Sequence, residues 1–154
     1  MPKAITLELD RFLPYRLSVL SNIVSTAISG AYEKRFGLTI PEWRVMAVLA
    51  MTPDLSAAEV AQRTAMDKVA VSRAVGSLLE QRRIVRQTAR TDRRRSLLRL
   101  SLAGRRVYAQ VVPVALHYER DLLAPLSKQD RAAVDRVVRI LLGRATEIGP
   151  AHAA

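Results

Sequence analysis

Ten arginines fall between Arg82 and Arg106 (82, 83, 86, 90, 93, 94, 95, 99, 105 and 106), against a single acid, Asp92. A guanidinium is permanently charged, and its planar fork of donors matches phosphate oxygens. The chain's formal charge is +11 over 154 residues, so this short window holds most of the imbalance. Scattered positive charge aids only solubility, whereas concentrated charge is the footprint of a binder of phosphate backbones. A solvated basic surface or a patch for anionic membranes are the other readings of charge alone. Arg93, Arg94 and Arg95 are consecutive within the polar, turn-compatible stretch Thr91-Asp92-Arg93-Arg94-Arg95. Three adjacent cations repel one another and serve no core, but a narrow minor groove concentrates negative potential and attracts inserted arginine. Arg90 leads into the same stretch, and Asp92 is placed to hold a neighbouring guanidinium by a charge-assisted pair.

The remaining residues argue against catalysis. There are no cysteines and two histidines, which leaves no thiolate chemistry, disulfide or histidine-rich metal cluster. No glycine-rich phosphate loop or nucleophile–base arrangement is visible. Glu42, Glu59 and Asp130 each stand three residues after a hydroxyl residue (Thr39, Ser56 and Ser127), the spacing of reciprocal helix caps. The expectation is a protein that is not an enzyme and has no cofactor or metal. No apolar run approaches the roughly 20 residues that span a bilayer, and residues 1–11 lack an apolar export core. With no cysteine, this fits a cytoplasmic protein. RNA platforms expose stacking aromatics, yet the basic window has none before Tyr108.

The elements that must position these arginines follow from periodicity. Residues 7–36 read as one long helix, with Leu13, Leu17, Leu20, Ile23, Val24, Ala27 and Ala31 recurring at helical spacing, Pro14 near its start and Gly37 as its stop. Thr39 to Glu42 opens a second helix through Leu49, closed by Thr52-Pro53-Asp54. Ser56 to Glu59 opens a short helix to Thr64, with Val60 and Ala61 inward. Asp67 caps a further helix from Lys68 to about Arg82, whose core stripe is Val71, Val75, Leu78 and Leu79. Val69, Ser72, Arg73, Gly76 and Ser77 then lie on its other side. Residues 84–90 and 96–100 form a hairpin with a charged tip. Ser101 caps a helix from Leu102 to about Leu123, with a kink at Pro113. Ser127 opens the last helix, striped by Val134, Val137, Val138, Leu141 and Leu142.

A short helix, a tight turn and a second helix form a helix-turn-helix, whose second helix offers its N-terminal residues to base edges in the major groove. Lys68, Val69, Ala70, Ser72, Arg73 and Ser77 face that way. Small residues let the helix sink into the groove. Arg73 can pair with a guanine or grip a phosphate, Ser72 can reach either, and Val69 and Ala70 suit a thymine methyl. The apolar stripes of the terminal helices need partners, and a homodimer would supply them while suiting palindromic DNA.

The run Leu55-Ser56-Ala57-Ala58-Glu59-Val60-Ala61-Gln62-Arg63-Thr64, then Met66 to Val75, resembles the MarR family of multiple-antibiotic-resistance-type regulators. So does Asp92-Arg93-Arg94-Arg95 followed by Leu100-Ser101-Leu102-Ala103-Gly104. The likeness extends from about Leu9 to Leu142. Where the family has glycine before the wing, this chain has Arg82-Arg83-Ile84. The resemblance implies a mainly α protein with a small β-hairpin wing (α+β). It is a single domain over 1–154, with a winged helix-turn-helix lobe at 39–101 and dimerisation helices at 1–36 and 102–146. It further implies that residues 68–73 enter the major groove of a palindromic operator in double-stranded DNA. Arg93 or Arg94 would probe the minor groove with Asp92 orienting it, and Ser56 would contact phosphate. Most members are repressors released by a small ligand. A competing reading is an architectural or non-specific nucleic-acid binder without an effector.

Family effectors bind between the dimerisation helices and the DNA-binding lobe. Tyr15-Arg16, Trp43-Arg44 and His117 are the candidates here, since arginine beside aromatic rings suits a carboxylate attached to a ring. The segments Leu9 to Leu17 and Ile40 to Val45 resemble members responding to phenolic acids or their coenzyme A thioesters. The expected effector is a small aromatic acid or its aryl-CoA. Trp43 could equally be core, Arg16 and Arg44 could pair with acids, and His117 could be structural.

Overall fold

The computed structural model describes residues 6–90, 92 and 94–150. The elements run α1 Leu13–Ser29, α2 Glu33–Phe36, α3 Ile40–Met51, α4 Ala57–Thr64, α5 Lys68–Glu80, β1 Ile84–Thr88, β2 Ser96–Leu100, α6 Leu102–Leu123 and α7 Lys128–Ile148. The chain separates into two compact units, divided after Ala115 within α6. The first half of α6 supplies Gly104 and Val111 to the core of the first unit, so that core extends past the wing.

The single helix expected over 7–36 is two. Residue 14 is a proline, so a helix begun upstream would lose a backbone bond at that position. The helix starts instead at Leu13 behind an extended Phe12, where Pro14 falls among the amides that have no intrahelical partner anyway. Downstream, the chain turns through Ala31 and Tyr32, whose amides donate to Ile28 and Ser29. That turn carries the Tyr32 ring into the core, where it is 1% exposed. Gly37 ends α2 with φ 64, a left-handed conformation that glycine adopts without penalty.

Capping residues mark most of the remaining starts. Thr39–Glu42, Ser56–Glu59 and Ser127–Asp130 each form reciprocal boxes, and the Asp67 carboxylate accepts from the amides of Val69 and Ala70. Ser101 Oγ accepts from Gly104 N at 2.9 Å at the start of α6. Ala65, with φ 52, makes the turn between α4 and α5. Helices α3, α4 and α5 bury Val45, Met46, Leu49, Val60, Val71 and Leu78 against one another and against the sheet. Ala74 joins the stripe of α5, while Leu79, expected inside, is only half-buried.

β1 and β2 pair antiparallel, with Ile84 opposite Leu100 and Thr88 opposite Ser96. Leu55 bridges to Leu98 as a short third edge. In the position before the wing where glycine was absent, Arg82 itself takes φ 55. Its amide donates to Leu79 O and that of Arg83 to Leu78 O, so the helix end is closed in the glycine manner by a residue with a Cβ.

The second unit comprises the last part of α6 and α7. Val134, Val137, Val138, Ile140, Leu141 and Leu142 on α7 are all exposed in the single chain.

Candidate nucleic-acid interface

The α5 helix is held by its inner stripe of Val71, Ala74, Val75 and Leu78. This turns Lys68, Val69, Ser72, Arg73 and Gly76 to solvent, while Ala70 and Ser77 are half-buried. Among the described residues, no side-chain partner engages Lys68 or Arg73, so both cations are available to a ligand. Ser77 is less free: its Oγ accepts from Gln81 Nε2 at 2.9 Å, and the same amide reaches the buried Glu42 Oε1 at 3.4 Å.

Ser56 is committed to its capping box, with Oγ accepting from Glu59 N at 3.2 Å and its own amide donating to Glu59 Oε2 at 2.7 Å. The Ser56 amide and hydroxyl, with Arg95 nearby, hold the Glu59 carboxyl below the usual glutamate range. Arg95 Nη2 donates to Glu59 Oε1 at 3.1 Å, tying the wing to α4, the first helix of the helix-turn-helix.

In the wing, Asp92 bonds to backbone. Its Oδ1 accepts from the Arg94 amide at 2.9 Å, and its carbonyl accepts from the Arg95 amide at 3.0 Å. A short acid can bond backbone two residues on and so set a turn without a glycine. Asp92 thus bonds its own turn, and Glu59 engages Arg95, a pairing the charge pattern alone did not reveal. Arg90 and Arg94 are exposed. The expected contacts at Arg93 lie outside the described residues, as does Thr91 at the tip.

Within the first unit, the candidate effector residues Tyr15 and Arg16 do not share a groove with Trp43 and Arg44. Tyr15 and Arg16 line a groove on α1 of about 450 Å³ with Asp10, Val19, Leu20 and Ile23, and that groove contains neither Trp43 nor Arg44. Trp43 is the middle ring of a stack, 5.5 Å from Tyr32 on one side and 5.5 Å from Tyr108 on the other. Arg44 Nη2 donates to Ser25 Oγ at 3.0 Å and not to an acid. Burial pushes the Tyr32 hydroxyl up to about 12, partly opposed by the nearby Arg44 charge. In the second unit, His117 lies between neighbours on its own helix, with Arg120 Nη2 3.1 Å from Nδ1 and Asp121 Oδ2 3.4 Å from Nε2. Among the described residues, no cluster of acids and histidines could hold a metal ion, and no helix is long and apolar enough to cross a membrane.

A helix-turn-helix followed by an arginine-tipped hairpin defines a winged-helix protein. Residues 36–95 match the model of the MarR family. A protein of Thauera aromatica assigned as a transcriptional regulatory protein for the hcr operon is 28% identical over 111 residues, covering 72% of this chain and 67% of that protein. The crystal structure of a MarR/EmrR family transcriptional regulator from Acinetobacter sp. ADP1 superposes with a TM-score of 0.83 at 26% identity, over 92% of this chain and 99% of that one. The transcriptional repressor CouR, bound to a 23-mer DNA duplex, shares the fold with a TM-score of 0.75 at 22% identity, over 91% of this chain and 99% of its own. Residues 36–95 thus match a MarR-family segment, and the chain shares its fold with MarR-family transcriptional regulators.

Proposed function

We propose that this chain is a ligand-responsive repressor that binds a palindromic operator as a homodimer. The observation that carries this reading is the outward face of α5, where Lys68, Val69, Ser72 and Arg73 are exposed above a buried stripe, accompanied by exposed Arg90 and Arg94 in the wing. Small and cationic side chains at the N-terminal half of that helix suit entry into a major groove, and the hairpin cations suit the adjacent minor groove or its phosphates. CouR shows the same fold on duplex DNA. The exposed apolar faces of α1 and α7 supply surface for a second copy. Two recognition helices bind together only when spaced about one turn of DNA, roughly 34 Å. A ligand that prefers one spacing therefore shifts the population that can bind.

The effector reading rests on Tyr15 and Arg16 in the α1 groove and on Trp43 and Arg44 in α3. It points to a small aromatic acid or its coenzyme A thioester, with the carboxylate or phosphates on arginine. A mobility-shift titration on the gene's upstream duplex tests the whole reading. Saturable binding is expected that falls when the palindrome is scrambled and when aromatic acids are added. Equal affinity for scrambled duplex would leave only non-specific binding. Arg16→Ala is expected to keep DNA binding while blunting release by the acid, and an unchanged response removes Arg16 from the effector site.

A further inference from the structure

The end of the hairpin away from its tip carries a further group of cations. Ile84 pairs with Leu100 at that end and Thr88 with Ser96 near the tip, so the two ends lie ~13 Å apart at a strand rise of about 3.3 Å per residue. α5 covers 13 residues, Lys68–Glu80, a length of ~20 Å at about 1.5 Å per residue, and Arg82 follows its C-terminal end. Arg35 on α2, Arg82 and Arg106 are exposed, and Arg83 is half-buried. Contacts within the first unit gather these four. Arg83 Nη2 donates to Phe36 O at 2.6 Å, and the guanidiniums of Arg35 and Arg83 lie 5.1 and 5.9 Å from the centre of the Phe36 ring. Arg35 Nη2 donates to Gln110 Oε1 at 2.7 Å, and Gln110 Nε2 donates to Arg106 O at 3.3 Å. Ser101 Oγ donates to Arg82 O at 2.7 Å, which brings the start of α6 against the end of α5.

Among the described residues, none of these four arginines has an ion pair, and Glu33 and Glu80, the acids nearest in sequence, pair with none of them. Arg83 Nη1 is buried without an acceptor. α6 has no acid in its first turn, and Arg106 stands near a helix start, where the macrodipole disfavours a cation. Unmatched cations gathered against these penalties form a surface for a polyanion. We propose that Arg35, Arg82, Arg83 and Arg106 form a second phosphate-backbone surface, which takes a DNA duplex separate from the one on α5 and the wing tip. Guanidinium forks suit phosphate oxygens. Phe36 lies half-buried under Arg35 and Arg83, so it is no open platform for the base stacking that single strands use. The N-terminal half of α5 and the wing tip address adjacent grooves of one duplex, and these cations sit at the opposite ends of both elements. A protein with both surfaces holds two segments of DNA together. Occupation of the first surface by an operator rests on the regulator reading above, while the second surface does not.

A two-duplex capture assay on the full chain tests this surface. The gene's upstream duplex is immobilised and saturated with protein, free protein is washed away, and a labelled duplex of unrelated sequence is added. Expected is capture of the second duplex that weakens steeply with salt. In the double variant Arg82→Glu with Arg106→Glu, capture is expected to fall by at least about tenfold while affinity for the immobilised duplex stays at the parent value, since two phosphate contacts are lost only from the second surface. Arg82→Lys with Arg106→Lys is expected to keep most of the capture. A parent protein that captures no second duplex overturns the proposal, as does a double Glu variant, folded by circular dichroism, that captures like the parent. Equal loss of affinity for both duplexes would assign the cluster to the first duplex and sink the second surface. Stronger capture of single-stranded RNA than of duplex would make RNA the occupant and overturn the assignment to DNA. Capture lost in the double Glu variant, together with equal binding of scrambled and native upstream duplex, keeps the second surface and sinks the operator reading.

Discussion

Arginine residues of one stretch divide into those the protein uses for itself and those it leaves to a partner. Arg83 Nη2 donates to Phe36 O at 2.6 Å, Arg99 pairs with Asp54, and Arg95 with Glu59. Arg90 and Arg94 are exposed in the hairpin, and Arg73 on α5. Charge counting cannot separate these roles, because the separating partners are distant in sequence: Arg83 to Phe36, Arg99 to Asp54 and Arg95 to Glu59. Arg73→Ala is expected to cost about 1–3 kcal/mol of operator affinity if it reads a base, and unchanged discrimination between operator and scrambled duplex argues against base reading. Arg94→Ala is expected to weaken binding to all sequences alike and to lower the steepness of the salt dependence by about one counterion. Gly104 illustrates a residue whose identity is dictated by space. A Cβ there would sit 1.9 Å from Arg83 O, against a carbonyl that already accepts from Ser101. Gly104→Ala is expected to cost about 1–3 kcal/mol through overpacking, measured as a lower denaturation midpoint.

At the scale of elements, the sequence was most legible where a local rule sets a boundary. The three capping boxes, the Asp67 cap, the Gly37 stop and both strands fall where hydroxyl–acid spacing and β-branched runs place them, because each of those signals acts over a few residues. The first helix was not legible, because apolar recurrence continues across the Ala31–Tyr32 turn while the tyrosine is drawn inward by tertiary packing. The aromatic stack of Tyr32, Trp43 and Tyr108 was equally hidden, since its members come from three separate segments. The clamp between α4 and the wing carries a pH prediction. The Glu59 carboxyl titrates below its ordinary value, chiefly through the Ser56 backbone and side-chain bonds, then through Arg95. A depressed folded value means the stabilisation is fully present above the unfolded glutamate range and is lost as pH falls through the folded one. Protection of the α4 amides and wing affinity are therefore expected to fall as the solution is acidified below that range. In Glu59→Gln that acid-dependent step is expected to shrink, as read by hydrogen exchange across an acid series. An identical acid profile in the variant would show that another carboxyl governs it.

At the scale of the molecule, the balance of buried and exposed apolar surface argues for a second copy. Unit by unit, the described residues leave Leu13, Leu17, Leu20 and Ile23 on α1, and Val134, Val138, Leu141 and Leu142 on α7, open to solvent. Each recurs at helical spacing, which makes two continuous stripes rather than scattered exposures, and contiguous apolar patches of that kind mark interaction surfaces. α7 has no buried residue of its own, so its amphipathic pattern has no use in an isolated chain. The palindromic operator proposed above would require a two-fold partner, and a helix-mediated dimer would supply the symmetry. Leu141→Arg on α7 is expected to shift the protein from dimer toward monomer in sedimentation equilibrium. A buried cation with no partner costs several kcal/mol per copy, and the two-fold axis repeats that cost. The same variant should bind a single half-site as the parent does, yet lose most of its affinity for the full operator, since cooperation between the two recognition helices disappears with the interface. A Leu141→Arg protein that remains dimeric and keeps full operator affinity would show that α7 is not the assembly surface, and the stripe on α1, probed by Leu20→Arg, would then have to carry it alone.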